Sequence, residues 1–371
     1  MDLEKCSENI LKTGFALEFR VSEYLRNGGW SVINNKYYID DQQEIVREID
    51  LVAYKATKIE SFIVYTTLII SCKKDEQNVW ALLSKNININ DPNAEWKPLH
   101  IWSNNKALNF IISQPNWNND YYKYINEVGI KEALCPPNVH IFAFQQMDDK
   151  SKKPHNDKDI FNSITTLMKA QSYELHALPK RKTRDCIYQF NLISVLEGEM
   201  VRLHFTEGNN VSTNKIDQEN YIAGYIIKKE ETFARIHFIK ESTFANVLNE
   251  YALLHEANCS LFKETYKEFY KKIVFDPKKL LLFKKIFTVE IKGFLYCRFQ
   301  IINQRKFEKI GSINLKWNDR DKVLEIDMDI FDNEASSLNK NEALISFTKH
   351  ILKNILKYEG VFQFTSDGIP F

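Results

Sequence analysis

Several features that mark large classes of protein are missing from this sequence. Its apolar runs all fall short of the roughly 18–20 residues that a membrane helix needs. The opening Met1-Asp2-Leu3-Glu4-Lys5 lacks the basic segment followed by an apolar one that directs secretion. A Walker A loop and a glycine-rich dinucleotide loop are also missing, which argues against hydrolysis of nucleoside triphosphates. We therefore expect a protein without a membrane partner.

Metal-binding patterns of cysteine and histidine are missing as well. The six cysteines are scattered, form no CxxC pair and belong to no Cys/His cluster. The eight histidines never occur at the spacing of metal ligands. This distribution argues against a zinc site and against a disulfide framework, and it is typical of a reducing compartment. The expected location is the cytoplasm.

The composition is that of a folded protein with large cores. Of the 371 residues, 44% are hydrophobic and 27% are charged, and 25 Phe and 17 Tyr supply bulky side chains. This length predicts two or three domains. The net charge is only +1, so a nucleic-acid partner would have to meet a local positive surface.

Hydrophobic periodicity in the first 150 residues indicates one helix followed by a sheet. Apolar residues at helical spacing predict a helix over 7–27, which Gly28-Gly29 ends. Runs rich in Val, Ile and Tyr then predict strands, and two shorter segments complete the pattern. The strands are 30–39, 45–54, 62–71 and 139–144, and a helix is expected near 104–113. This order favours an α/β sheet with helices packed on it.

The remaining residues divide into two predicted parts. Residues 151–258 are expected to contain a helix at 159–176, a hairpin turning at Glu197-Gly198-Glu199, strands at 222–228 and 233–239, and a helix at 242–257. Residues 259–371 are expected to be an α+β module with helices at 259–273 and 338–358 and a strand meander over 286–330. The predicted boundaries are therefore 1–150, 151–258 and 259–371.

Three short stretches carry the chemistry. They are Gly14-Phe15-Ala16-Leu17-Glu18, Glu48-Ile49-Asp50-Leu51-Val52 and Leu68-Ile69-Ile70-Ser71-Cys72-Lys73-Lys74. An acid on a helix, an acid on a strand and a lysine at the end of the next strand are the parts of a metal-dependent phosphodiesterase site. Carboxylates bind a divalent cation, and a lysine neutralises charge at the scissile phosphate.

The order and spacing of these stretches resemble the PD-(D/E)xK nuclease superfamily, in its Mrr-like restriction endonuclease branch. The resemblance implies a mixed sheet flanked by helices, cleavage of DNA in restriction or phage defence, and Mg²⁺ or Mn²⁺ as cofactor. It implies that Asp50 and Glu18 hold the metal together with the backbone carbonyl of Cys72. Lys73 would be the catalytic lysine. Ser71 departs from the family pattern, which has an acid at that position.

Further candidates surround this set. Strand alternation places Ser71 and Lys73 on one face, so Lys74 points away and could contact the nucleic-acid backbone. Glu48 is an alternative to Asp50 as the acid of the site, because it lies two residues earlier and hence on the same strand face. Glu23, five residues after Glu18, should face elsewhere. The basic residues Lys180, Arg181, Lys182 and Arg184 are candidates for phosphate contacts, although a charged linker explains them nearly as well.

Other interpretations stay open at this point. Ser71 and the near-neutral charge are also consistent with a catalytically decayed subunit that binds nucleic acid or assembles a complex. A third interpretation is a nuclease whose activity is controlled by a ligand or a protein partner that binds residues 259–371. The chain could also form a homodimer. Glu325, Asp327 and Asp329 alternate along a C-terminal strand, where a solvated strand face explains them better than a cation site.

Overall fold

The computed structural model describes residues 3–40, 44–303 and 313–366. The chain forms two compact units, residues 1–263 and residues 264–371. Both are mixed α/β structures. In the described ranges, no helix combines the length and apolar character needed to cross a bilayer.

The first unit is built on a large mixed sheet. Its helices are α1 (Leu3–Ile10), α2 (Gly14–Asn27), α3 (Lys106–Ile112), α4 (Trp117–Glu127), α5 (Lys158–Arg181) and α6 (Glu241–Lys271), which extends past residue 263. Its strands are β1 (Ser31–Ile39), β2 (Val46–Ile59), β3 (Phe62–Lys85), β4 (His100–Ser103), β5 (His140–Asp148), β6 (Cys186–Phe205), β7 (Val211–Lys215), β8 (Gln218–Ile227) and β9 (Glu230–Lys240). A single 3-10 turn covers Glu207–Asn209.

The strand order explains which elements meet at the centre of the sheet. The main path runs β1-β2-β3-β6-β9-β8, while β5 pairs with β3, and β4 and β7 pair with β6. β1, β2 and β3 are antiparallel neighbours, as expected for strands joined by short turns. β6 lies parallel to β3, and β9 lies parallel to β6. Helices flank this sheet, in agreement with the predicted α/β class.

β3 changes its partner along one edge. Residues 62–70 of β3 pair with β2, and residues 78–85 pair with β5. Between these two ladders, residues 71–77 have neither β2 nor β5 as a partner on that edge. On its other edge, β3 stays paired with β6 over most of its length. The sheet is therefore split on one side of β3, at the position of Ser71, Cys72 and Lys73.

The core of the first unit lies between this sheet and its helices. α5 buries an apolar stripe that includes Ile160, Ile164 and Leu167, because these residues recur at helical spacing. They belong to one buried cluster with Ile69 of β3 and Leu192 of β6. α2 packs against β1, β2 and β3.

The second unit has a small sheet of its own. Its elements are a 3-10 turn at Ile273–Phe275, α7 (Pro277–Asn303), β10 (Asn314–Asn318), β11 (Val323–Met328), α8 (Asp332–Asn339), α9 (Glu342–Leu356) and β12 (Phe362–Ser366). β10 pairs antiparallel with β11, and β11 pairs parallel with β12. α7 and α9 pack against each other.

The predicted hairpin at Glu197-Gly198-Glu199 is wrong. β6 continues through this tripeptide as one strand of 20 residues. Gly198 is needed because β3 and β6 approach closely there, and a Cβ at Gly198 would lie 2.4 Å from the carbonyl oxygen of Asp75. The glycine thus marks a close backbone contact beside an irregularity in β3 between Asp75 and Val79.

The predicted meander over 286–330 is also wrong in its first part. Residues 277–303 form α7, in which Phe283, Phe287 and Ile291 are buried at four-residue spacing. Their aromatic and β-branched side chains favour strands by composition, but the spacing is that of a helix face. Residues 304–312 lie outside the described residues, and in the described part of this range the strands are β10 and β11.

Smaller differences concern where elements begin and end. The helix expected over 7–27 is two helices, and those expected at 242–257 and 259–273 are one helix, α6. β3 extends to Lys85 instead of ending near residue 71. α4, β4 and β12 were not predicted, because they are short or lie in segments of mixed composition.

Candidate functional site

Asp50 lies at the point where β2 separates from β3. The ladder between these strands ends with the pair Leu51–Ile70. Beyond it, the Asp50 side chain replaces the missing backbone partner, because Oδ2 accepts a hydrogen bond from the backbone N–H of Cys72 at 2.6 Å. This bond holds the carboxylate in the split of the sheet. Asp50 and Lys73 lie on adjacent strands, as the sequence predicts.

Glu18 reaches the same place from α2. Leu17, Val21 and Leu25 are fully buried on the helix face toward the sheet, and Glu18 follows Leu17 at the edge of that face. It is half-buried. Partial burial, together with the nearby carboxylates of Asp50 and Glu48, raises the pKa of Glu18 to about 7, although Lys73 opposes the shift.

The electrostatics of Asp50 follow from the same neighbours. Burial raises the pKa of Asp50, while the Cys72 N–H, Lys73 and Ser71 lower it and Glu48 raises it slightly. Because the charge of Asp50 contributes to the raised pKa of Glu18, the two carboxylates are close enough to repel. The structure thus brings together Glu18, Asp50 and Lys73 and places Glu48 beside them.

Glu48 occupies the exposed end of this group. It lies two residues before Asp50 on β2 and accepts a hydrogen bond from the side chain of Asn35. Its carboxylate still raises the pKa values of both other acids. Glu23 lies apart from the group, in an ion pair with Arg26 at 2.8 Å.

Lys73 is a half-buried cation without an ion-pair partner among the described residues. It affects the pKa values of Glu18, Asp50 and Cys72, so its ammonium group lies within electrostatic reach of each. Ser71, two residues earlier on the same strand face, has a buried hydroxyl that meets hydrogen-bond geometry with no described residue. It nevertheless lies close enough to Asp50 to lower that pKa.

Cys72 can offer an oxygen to this site but not a thiolate. Burial, Asp50 and Glu18 raise the pKa of the Cys72 thiol well above its ordinary value. In an extended strand the N–H and the C=O of one residue point toward the same neighbour. Since the N–H of Cys72 reaches Asp50, its carbonyl also points into the split.

An ion-pair network behind the site was not predicted. Arg20 lies 2.9 Å from Glu197 and 3.3 Å from Glu241, and Lys74 lies 3.3 Å from Glu197. Lys74 also pairs with Glu76. The network connects α2 to β3, β6 and α6. Lys74, which was expected to contact nucleic acid, therefore already forms ion pairs within the protein. No sequence signal could have found the network, because these residues are far apart in the chain.

The basic residues at the end of α5 lie elsewhere in the unit. Lys180 and Arg184 are exposed, and Arg181 pairs with Glu174 at 2.8 Å. Lys182 lies 4.9 Å from the ring centroid of Tyr65 on β3. Tyr65 precedes Lys73 by eight residues, which corresponds to about 26 Å along a strand. The structure therefore does not bring this basic run to the Asp50 site.

The acids of the second unit are held by neighbouring side chains. Glu325 accepts a hydrogen bond from Asn318 at 2.7 Å, and Asp327 accepts one from Thr365 at 3.2 Å. Asp329 is exposed. Over residues 3–40, 44–303 and 313–366, no set of three or more His, Cys, Asp and Glu side chains is arranged to hold a metal ion.

The Asp50 site therefore offers two carboxylates that repel each other, a backbone carbonyl and a lysine that pairs with no carboxylate in the described part of the chain. Two carboxylates with open positions for water and phosphate are a donor set that suits Mg²⁺, which keeps several waters and binds substrate phosphates. The lysine suits an anionic substrate. Compared with protein families, curated proteins and solved structures, the chain gives no match.

Proposed function

We propose that this protein is a metal-dependent nuclease that hydrolyses phosphodiester bonds in DNA. The observation that carries the proposal is the convergence of Glu18, Asp50 and Lys73 from α2, β2 and β3 at a split in the sheet. A helix followed by an antiparallel meander in a mixed sheet also agrees with the restriction-endonuclease-like fold that the resemblance implies. Restriction or defence against foreign DNA would be its biological use.

The proposed roles follow from charge. Asp50, Glu18 and the Cys72 carbonyl would hold Mg²⁺ or Mn²⁺, which supplies a Lewis acid for the phosphate and lowers the pKa of water. The Cys72 N–H fixes the orientation of the Asp50 carboxylate. Lys73 would stabilise the negative charge that accumulates on the phosphate oxygens during attack by water.

The incompletely compensated charges of the Glu18 and Asp50 carboxylates support this assignment. Repelling carboxylates oppose folding unless a ligand compensates them, and Lys73 compensates Glu18 and Asp50 only in part. A divalent cation would neutralise Glu18 and Asp50, and a phosphate would pair with Lys73. The same three groups would thus bind the cofactor and the substrate.

A second candidate is a nucleic-acid-binding protein that no longer cleaves. Ser71 favours it, because a neutral hydroxyl stands where the family has an acid and the described residues contain no three-acid set. Such a protein would keep the lysine and bind DNA without a metal-dependent reaction.

A plasmid assay separates the two candidates. The purified full chain is incubated with supercoiled plasmid in Mg²⁺, in Mn²⁺ and in EDTA, and the wild type is compared with Asp50→Asn and Glu18→Gln. Glu23→Gln is the matched control, because it removes an acid from the same helix outside the site. The nuclease proposal expects cleavage by the wild type and by Glu23→Gln only. Metal-independent binding without any cleavage would support the second candidate.

A further inference from the structure

A second site lies between α5 and the sheet, away from the Asp50 site. It is a cavity of about 180 Å³. Its floor is formed by residues of β2, β3 and β6, its roof by the last turns of α5, and its rim by β1. Thr67 in the floor precedes Lys73 by six residues, or about 20 Å along the strand. Val52 in its lining is two residues from Asp50 on β2, but none of Glu18, Asp50 and Lys73 lines the cavity, so it is a separate site.

Aromatic rings form the walls of this cavity. Tyr65 and Tyr188 are paired across β3 and β6, and their rings stack with centroids 4.1 Å apart and planes 8° from parallel. Phe190 stacks on Tyr188 at 5.9 Å. Tyr54 of β2 lies 6.0 Å from Tyr65. A flat ring entering the cavity would therefore meet the edges and remaining faces of several aromatic rings.

The floor carries an unused polar group. Thr67 stands between Tyr54 and Phe190 in the register of the sheet and is 4% exposed. Its hydroxyl has no hydrogen-bond partner among the described residues. Because a buried hydroxyl without a partner costs free energy, this group favours a ligand atom that can bond to it. An apolar ring alone would leave that hydroxyl unsatisfied.

The mouth of the cavity carries an excess of positive charge. Lys36 and Arg181 share the carboxylate of Glu174, each at 2.8 Å. Lys182 forms no ion pair with a described residue and lies 4.9 and 5.3 Å from the centroids of Tyr65 and Tyr188. One carboxylate therefore faces three cations, which favours an anionic group on the ligand.

We propose that this cavity binds a nucleoside phosphate, with the base inside and the phosphate at Lys182 and Arg181. A cavity of about 150 Å³ holds one aromatic ring, so the observed volume accepts a base but not a whole nucleotide. Ring stacking and the Thr67 hydroxyl would select a planar ring with polar edges. Lys182 and Arg181 would select a negative charge outside it. The base comes from a free nucleotide or from a single strand.

Calorimetric titration of the full chain tests this site without any cleavage assay. The ligands are the four common nucleoside 5′-monophosphates, the matching nucleosides and a tetra-deoxyadenylate. Binding of at least one monophosphate, or of the tetramer, supports the proposal and identifies the source of the base. A nucleoside that binds as tightly as its monophosphate, or no binding of any ligand at millimolar concentration, would overturn it.

Two variants and a control locate the binding. Lys182→Met should weaken the monophosphate or the tetramer at least about tenfold, because a charge-assisted contact is lost. Thr67→Val keeps the shape of the floor and should weaken binding about threefold to tenfold. Lys180→Met removes an exposed charge from the same helix end and should leave the affinity unchanged. Equal affinities in the wild type, Lys182→Met and Thr67→Val would contradict the assignment, provided thermal unfolding shows that the variants are folded.

Discussion

Two polar clusters in the first unit differ in how well their groups are satisfied. Around Arg235, which is 5% exposed, Asn220 and the carbonyl of Ala133 accept hydrogen bonds from the guanidinium group. His237 is hydrogen-bonded to Tyr251 and Gln218. Burial, and to a smaller extent the positive charge of Arg235, lowers the pKa of His237 well below the ordinary value. At the Asp50 site, by contrast, the charge of Asp50 repels that of Glu18, and the Lys73 ammonium group has neither an ion-pair nor a hydrogen-bond partner among the described residues.

This difference separates a structural cluster from a candidate functional one. Buried polar groups that all have partners stabilise one arrangement of the chain and leave nothing for a ligand. Groups held in mutual repulsion keep binding capacity that a cation and an anion would satisfy. We therefore expect substitutions at Arg235 to affect stability, and substitutions at Glu18, Asp50 and Lys73 to affect binding and catalysis.

The largest effect is expected for Lys73→Ala. Removing the cation should lower the rate of DNA cleavage by on the order of 10²–10³, because the phosphate loses its charge stabilisation in the transition state. Lys74→Ala is the neighbouring control, since Lys74 pairs with Glu76 and Glu197 on the other strand face. Rates are measured from single-turnover cleavage. Full activity in Lys73→Ala would mean that the nuclease site lies elsewhere or does not exist.

Arg235→Met should have the largest effect on folding. It leaves the Asn220 side chain and the Ala133 carbonyl without their donor, at a cost of about 3 kcal/mol in the free energy of unfolding. Urea unfolding followed by circular dichroism measures this loss. Arg26→Met is the control, because its ion pair with Glu23 is exposed and contributes less than about 0.5 kcal/mol. Similar losses in the two variants would remove the distinction between the clusters.

Glu18→Gln should stabilise the metal-free protein at alkaline pH. The folded-state pKa of Glu18 is about 7, above the ordinary 4.5, so the folded state holds this proton more tightly than the unfolded one. Wild-type stability should therefore fall as pH rises from 4.5 through 7. Since solvent reaches part of the side chain, we expect Glu18→Gln to gain about 1 kcal/mol at pH 8 and nothing below pH 4.5.

The measurement is the free energy of unfolding from pH 4 to pH 8 in EDTA. Glu23→Gln lies on the same helix and should follow the wild type throughout. A pH-independent difference between Glu18→Gln and the wild type would mean that burial and the charge of Asp50 do not raise the pKa of Glu18.

The smallest effects are expected at Ser71. Ser71→Ala removes a neutral hydroxyl that lowers the pKa of Asp50 less than the Cys72 N–H and Lys73 do, and it should change cleavage by no more than about threefold. Ser71→Glu restores the acid of the family pattern and should strengthen Mg²⁺ binding, unless Glu18 already fills that coordination position. Cleavage across a Mg²⁺ titration distinguishes these cases. A large loss in Ser71→Ala would show that the hydroxyl itself is essential.

The sequence predicts the local elements of the site well. The shift from helical to strand periodicity at Gly28-Gly29 correctly indicates α2 and the meander of β1, β2 and β3. It places Asp50 and Lys73 on neighbouring strands. Local pattern is sufficient there because short turns join antiparallel strands. The local sequence pattern fails at Gly198, where the glycine allows a close backbone contact with β3 that is seen only in the folded sheet.

The long-range features of both sites could not be predicted. The split in the sheet arises because β3 exchanges β2 for β5, a strand that begins 55 residues after Lys85. One of the two ion-pair partners of Lys74 is Glu197, 123 residues away. The cavity at Thr67 likewise needs aromatic rings from three strands and the last turns of α5, which supply no ring. Such arrangements depend on the topology of the sheet, which hydrophobic periodicity does not encode.

Calorimetric titration with Mg²⁺ tests most directly that the repelling carboxylates form a metal site. The full-length wild type is compared with Asp50→Ala and Glu23→Ala at pH 8, where Glu18 is ionised. We expect the wild type and Glu23→Ala to bind Mg²⁺ with the same affinity and Asp50→Ala to lose this binding. Unchanged affinity in Asp50→Ala, or no Mg²⁺ binding by the wild type even with an oligonucleotide present, would contradict this expectation.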